Sequence, residues 1–471
     1  MTHLLPRALL LLILALPAPA VAGGMALAGH GVRAMGRAGA VVAGGDDPGA
    51  IWYNPAAIAG LPGLQVTLDG VIVLYSTEYT RVDSGGNLLA PVSDSGPILP
   101  LPVLALSRRV YRELYLGFSV TAPYSPVGAY PAPNYGRCDP VAPAHCIDTV
   151  HTDSPQRYSL ITQDGTKFIL LELVAAYRLL PQLSVGLSLQ NYFINFVSLS
   201  SITSYNGALS SGPEDPDFDS LTYLKQLTLF NPSVKVGATY RPHPRVTLGL
   251  SYQLPFWVRG DAQVNVQLPL SPLYEKATVE GSTAEVKYTL PMCLRAGVEV
   301  RPVDELRLEL GFDWEQWSAM RAIEVFPKDI YILNIPSIDR YKVPALATLL
   351  NFRDTFTVRL GGEYTFARFP LALRAGYIFE SGAAAGAQMS VMAIDNHKHL
   401  LTLGLGYTVG GYRLDAMFAR SFSGTAVVDF RESSALQVNP INPKGAVGVG
   451  GGSYKAAYSL IGLGVSKSFP W

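Results

Sequence analysis

The chain has 471 residues, of which 49% are hydrophobic and 15% charged, with 36 basic residues balanced by 36 acidic ones. Zero net charge leaves no electrostatic case for nucleic acid. No run of 18 or more apolar residues follows the N-terminal leader, which excludes α-helical membrane spans.

The leader has the anatomy of an export signal. His3 and Arg7 give a weakly basic start, Ala8 to Leu16 a short apolar core, and Ala20-Val21-Ala22 a small-x-small cleavage site. Cleavage is expected near Ala22-Gly23, so residues 1–22 are read as a signal peptide. Residues 23–63 are rich in small residues and carry Gly36-Arg37-Ala38, Asp46-Asp47 and Asn54-Pro55-Ala56. After them come only strands. A compact segment ahead of a β-rich exported body reads as a plug, or hatch, before a membrane barrel spanning 64–471.

Strict alternation carries the barrel reading. Leu183, Val185, Leu187 and Leu189 alternate with Ser184, Gly186, Ser188 and Gln190. Val246, Leu248, Leu250, Tyr252 and Leu254 alternate with Arg245, Thr247, Gly249, Ser251 and Gln253, and Leu401, Leu403, Leu405 and Tyr407 with Thr402, Gly404, Gly406 and Thr408. Successive strand residues point to opposite faces, so each segment has one apolar and one small or polar face. In a membrane barrel the apolar face meets lipid and the other lines the lumen. About fourteen such segments occur, centred near residues 72, 104, 118, 173, 190, 234, 250, 293, 311, 360, 376, 403, 418 and 463. Short connections near Val110, Pro181, Pro242, Pro302, Phe369 and Gly410 alternate with long ones, as short periplasmic turns alternate with long external loops. The expected fold is all-β: a fourteen-stranded antiparallel transmembrane β-barrel with an N-terminal hatch in its lumen. Glycine at 45 and tyrosine at 25 suit a polar lumen and aromatic girdles, and Trp314 and Trp317 read as girdle residues.

The third strand runs Leu116 to Thr121 and meets Ala122-Pro123-Tyr124-Ser125-Pro126. Proline donates no ladder hydrogen bond and is expelled from central strands. Two prolines three residues apart therefore either open the wall or simply end the strand. Asn54-Pro55-Ala56 reads as a turn or as the anchor of the hatch. Asp46 and Asp47 read as partners of lumen arginines or as helix caps. Cys138 and Cys146 share one long loop and are expected to form a disulfide in an oxidising compartment. Metal binding with His145 and His151 is the lesser alternative. Cys293 reads as a small wall residue.

With these features the chain resembles the FadL/TodX family of outer-membrane transporters for hydrophobic compounds. The hatch motifs carry the resemblance together with Asp313-Trp314-x-x-Trp317-Ser318, Phe352-Arg353-Asp354-Thr355, Leu373-Arg374-Ala375-Gly376-Tyr377, and Asp395-Asn396-His397-Lys398-His399 leading into Leu403-Gly404-Leu405-Gly406-Tyr407. The resemblance implies capture of a ligand in an apolar groove between external loops, transfer to a tighter site in the barrel, and a hatch rearrangement. Release is then sideways, through a wall gap at a kinked third strand. It implies a hydrophobic small-molecule ligand and outer-membrane lipid as partners, a monomer, and neither cofactor nor metal.

Long-chain fatty acids are the leading substrate, with uncharged aromatic or aliphatic hydrocarbons as the alternative. A fatty acid needs a cation beside an apolar channel, and Arg353, Arg157 and Lys342 are the candidates. The loop Val343 to Leu350 is unusually apolar and lacks a basic residue that some fatty-acid transporters of the family carry nearby, which keeps hydrocarbons open. A general porin needs no plug, and no serine paired with a histidine suggests an outer-membrane hydrolase.

Overall fold

The computed structural model describes residues 27, 29–96, 98–124, 128–131, 160–205, 207, 214–269, 271–384 and 386–470. The expected signal peptide, Ser125, Pro126, Cys138, Cys146 and Arg157 lie outside them. The wall is an antiparallel barrel of fourteen strands. The first five are β1 (Leu64–Arg81), β2 (Leu99–Tyr111), β3 (Leu114–Thr121), β4 (Lys167–Leu180) and β5 (Leu183–Thr203). The next five each come in two segments. They are β6 (Asp219–Thr228, Pro232–His243), β7 (Val246–Gln253, Phe256–Gln267), β8 (Thr283–Leu290, Cys293–Val303), β9 (Leu306–Glu315, Ala322–Pro327) and β10 (Leu346–Leu349, Thr355–Thr365). The last are β11 (Leu371–Glu380), β12 (Lys398–Val409), β13 (Tyr412–Phe422) and β14 (Gly452–Phe469). Strand β1 closes the cylinder by pairing with β14 along its whole length, from Leu64↔Phe469 to Arg81↔Gly452.

Closure pairs the strands around the cylinder and leaves free edges above the short β3, and such pairing is what lets strands sit in a bilayer. The alternation falls as the period predicts. Leu189, Leu250, Leu403 and Leu463 are exposed on the outer face, while Ser188, Gln190, Ser251, Gln253 and Thr402 are buried in the lumen. Lys467, which interrupts the apolar face of β14, lies beside the periplasmic turn with its ammonium 3.9 Å from the Tyr412 ring centre.

One departure from smooth strands has no counterpart in the sequence reading. Strands β6 to β10 are all interrupted, and the interruptions adjoin: the registers Gln253↔Cys293, Cys293↔Glu315 and Glu315↔Thr355 each end where the next segment begins. Pro232, Pro255 and Pro291 stand at three of the breaks, where a missing N–H ends a ladder. The resulting seam turns large side chains inward.

The hatch lies inside the barrel. A short helix, α1 (Val32–Gly36), is followed by two 3₁₀ turns, Pro48–Trp52 and Pro55–Ile58. Each turn starts at an Asx-Pro step. The Asp47 side chain accepts from the Gly49 N–H at 2.7 Å, and the Asn54 side chain accepts from the Ala56 N–H at 3.0 Å. Short polar side chains cap, and proline preorganises the first helical position.

Candidate functional site

Outermost is a cavity of about 470 Å³, walled by the external extensions of β5, β6, β7, β9 and β10 and by two loop segments, Val343–Ala345 and Ala435–Pro440. Its lining is apolar apart from hydroxyls and amides, with no ionisable side chain among the described residues that line it. The apolar loop noted in the sequence therefore faces the cavity. Such a site favours apolar surface leaving water and offers no fixed charge.

Phe196 and Ile323 line this cavity and also a small void of about 10 Å³ beneath it, closed by Tyr124, Phe168, Tyr288, Leu290 and Met320. This is an aromatic throat. The Tyr124 ring stands 5.9 Å from Phe168, 5.7 Å from Tyr192 and 6.1 Å from Trp317, measured between ring centres. Trp317 is fully buried in this cluster, which corrects its reading as a girdle residue. The reason is parity: Trp317 lies two residues beyond Glu315 and four beyond Asp313 on the lumen face of β9, and its indole N–H donates to Glu315 Oε2 at 2.7 Å. Trp314, still in strand register beside Phe356, keeps the outward face.

Below the throat are charged groups that sequence reasoning passed over. Arg295 lies over the Trp52 ring of the hatch, its guanidinium carbon 4.2 Å from the ring centre. It is 2% exposed, its nearest carboxylate is Asp313 at 4.0 Å, and its Nη1 has no hydrogen-bond partner. Lys235 pairs with Glu172 at 2.7 Å and donates to the Trp52 carbonyl at 2.9 Å. Parity along Cys293, Arg295, Gly297 and Glu299 is the signal that places these residues in the lumen. Cys293 is buried there as a free thiol, 3.8 Å from Glu315 Oε1.

The hatch is held by two kinds of contact. Toward β8 to β13 it is ionic. Asp46 pairs with Arg33 and, at 2.8 Å, with Arg307; Arg307 also meets Glu363 at 3.0 Å, and Arg37 meets Glu299 at 3.3 Å. Glu309 accepts from the Ala43 and Gly44 N–H groups at 2.9 and 2.8 Å. Toward β3 and β4 it is apolar, with Ile51, Ile58 and Leu61 against Tyr115, Val174 and Ala176. Asn54 donates to Val42 O at 2.8 Å and to Ala238 O at 3.0 Å, so the tripeptide is both a turn and a tie to β6. Glycines in the wall permit this approach. A Cβ at Gly237 would stand 2.1 Å from Asn54 Oδ1, at Gly249 2.2 Å from Val42 O, and at Gly361 2.0 Å from Arg37 O.

Strand β3 is short. Its ladder to β2 runs only to Leu104↔Val120 and its ladder to β4 to Thr121↔Leu170. Leu99–Val103 and Lys167–Ile169 continue above it with no β3 partner. Here Ala122 packs beside the hatch cluster, the Pro123 carbonyl accepts from the Leu27 N–H at 3.3 Å, and Tyr124 enters the throat. Throat, strand end and hatch thus meet at residues 122–124. Arg353 and Lys342 are not brought there: both are exposed and neither lines the cavity.

Comparison with known proteins bears on the whole arrangement. The family model for outer membrane transport proteins (OMPP1/FadL/TodX) matches residues 159–469. A Pseudomonas aeruginosa FadL homologue is similar in structure, with 17% identity and a TM-score of 0.72 over 95% of this chain and 100% of the other. The Pseudomonas putida toluene transporter TodX is similar at 13% identity and a TM-score of 0.60, covering 94% and 99%. The Ralstonia pickettii toluene transporter TbuX is similar at 17% and 0.59, covering 94% and 99%. No curated protein sequence matches the chain.

Proposed function

We propose that this chain, which belongs to the OMPP1/FadL/TodX family of outer membrane transport proteins, carries long-chain fatty acids into the membrane. One observation carries the substrate. An apolar, charge-free cavity leads through an aromatic throat toward Arg295, a buried guanidinium with an unpartnered Nη1. The cavity lies within the roughly 300–1,000 Å³ usual for small-molecule sites. It takes the acyl chain, and Arg295 takes the carboxylate by a charge-assisted hydrogen bond. Arg353 and Lys342, both exposed and off the cavity, then serve the outer loops rather than the head group.

Release is sideways, between β2 and β4 above the end of β3, where Ala122, Pro123 and Tyr124 replace wall with an irregular segment. Ser125 and Pro126 follow in the sequence. Passage from water to bilayer is downhill for apolar surface, about 25 cal/mol per Å², and needs no cofactor. The hatch, anchored at Gly36, Arg37, Asp46, Asp47, Asn54, Pro55 and Ala56, shifts to let the ligand pass.

A second reading is uptake of uncharged hydrocarbons, favoured by the absence of any ionisable group among the described lining residues of the cavity. Uptake of labelled oleate and labelled toluene, by cells lacking their own hydrophobic transporter but expressing this chain, separates the two. Oleate should enter, and Arg295→Gln should slow it about tenfold, the scale of a hydrogen bond to a charged group, while leaving toluene unaffected. Toluene uptake without oleate uptake would replace the fatty-acid reading with the hydrocarbon one.

A further inference from the structure

The throat between cavity and lumen contains an unpaired polar atom. Tyr288, on the inward face of β8 opposite Val258, is 7% exposed, and its hydroxyl has no hydrogen-bond partner. Around it stand Val286 and Leu290 on its own strand, Phe196 with its ring centre 6.1 Å away, and the other apolar groups of the void. A phenol left unmatched in such a place costs stability, whereas phenylalanine would fill the same volume without that cost. Since Phe196 and Ile323 line both spaces, a molecule moving down from the outer cavity meets Tyr288 at the constriction.

We propose that Tyr288 is the residue that selects substrates in the throat: its hydroxyl donates to the polar end of a ligand in transit. Long-chain acids and alcohols therefore pass ahead of plain alkanes of the same length. The inference rests on the transport reading and adds a discrimination to it. A site whose polar group is satisfied only by the substrate discriminates against an analogue lacking the matching group, because that analogue leaves the phenol unpaired.

The test is the initial rate of uptake of oleate, 1-hexadecanol and hexadecane by cells expressing the full chain or Tyr288→Phe. Melting of both purified proteins in detergent is followed in parallel. Tyr288→Phe should lose about fivefold on the alcohol, the scale of one neutral hydrogen bond, and about tenfold or more on the ionised acid, with hexadecane unchanged. Its melting temperature should rise, since the unmatched hydroxyl is gone. An equal change for all three substrates, or no change for any, would overturn the assignment while leaving transport standing. Wild-type cells that take up none of the three would overturn the transport reading and this one together.

Discussion

Asn54 shows how one side chain ties three parts of the molecule. Its amide donates to the hatch at Val42 and to the wall at Ala238, while its oxygen caps the turn at Ala56. Asn54→Asp keeps the cap and turns both donations into a carboxylate facing two carbonyls. That substitution should loosen the hatch by about 1–3 kcal/mol, the cost of stranding buried polar groups. Hydrogen exchange should read this as faster exchange over residues 48–61, with the strands still protected. Unchanged exchange there would mean that the turn alone holds the segment. The Asx-Pro steps at Asp47 and Asn54 were legible from sequence because capping is local. The division of labour between the two aspartates was not: Asp47 caps, while Asp46 pairs with Arg307, far along the chain.

At the level of single elements, β3 and the seam through β6 to β10 matter most. Strand β3 ends before its neighbours do, and the residues that follow face throat and hatch instead of lipid. Replacing Pro123 and Pro126 with valine supplies ladder donors where none exist and should let β3 continue. Uptake should fall while the barrel stays folded, as judged by circular dichroism and its resistance to unfolding in detergent. Full uptake by the double variant would place the exit elsewhere. The prolines at 123, 232, 255 and 291 announced trouble in the wall, yet the breaks in β9 and β10 contain none. Trp317 turned inward because it shares the parity of Asp313 and Glu315, three residues from Trp314 and so on the opposite face. Parity along β8 is consistent with Arg295 in the lumen, but it marks many lumen residues alike and does not distinguish one with an open donor, so Arg295 went unnoticed in the sequence.

For the whole molecule, closure of the barrel around a packed hatch makes a wall that should not leak. The wild-type protein should give no steady ion conductance in planar bilayers. Gly249→Val, whose new side chain would collide with the Val42 carbonyl, should displace the hatch and produce measurable conductance from a folded barrel. A silent Gly249→Val channel would show that the hatch can yield without opening a path. What the sequence by itself determined is the all-β wall, its two faces and its strand number, because period two and turn chemistry are local properties that each segment carries alone. It also offered capping as one reading of Asp47, and an opening or an end as the two readings of β3 at Pro123. Only the tertiary structure decided which loops wall the cavity, that Arg353 and Lys342 stay outside it, and that Arg295, Trp317 and Tyr288 stand along one path. Those relations depend on closing a cylinder of fourteen strands in a particular register. Register brings residues more than a hundred positions apart within a few ångströms, and no pattern confined to one strand encodes it.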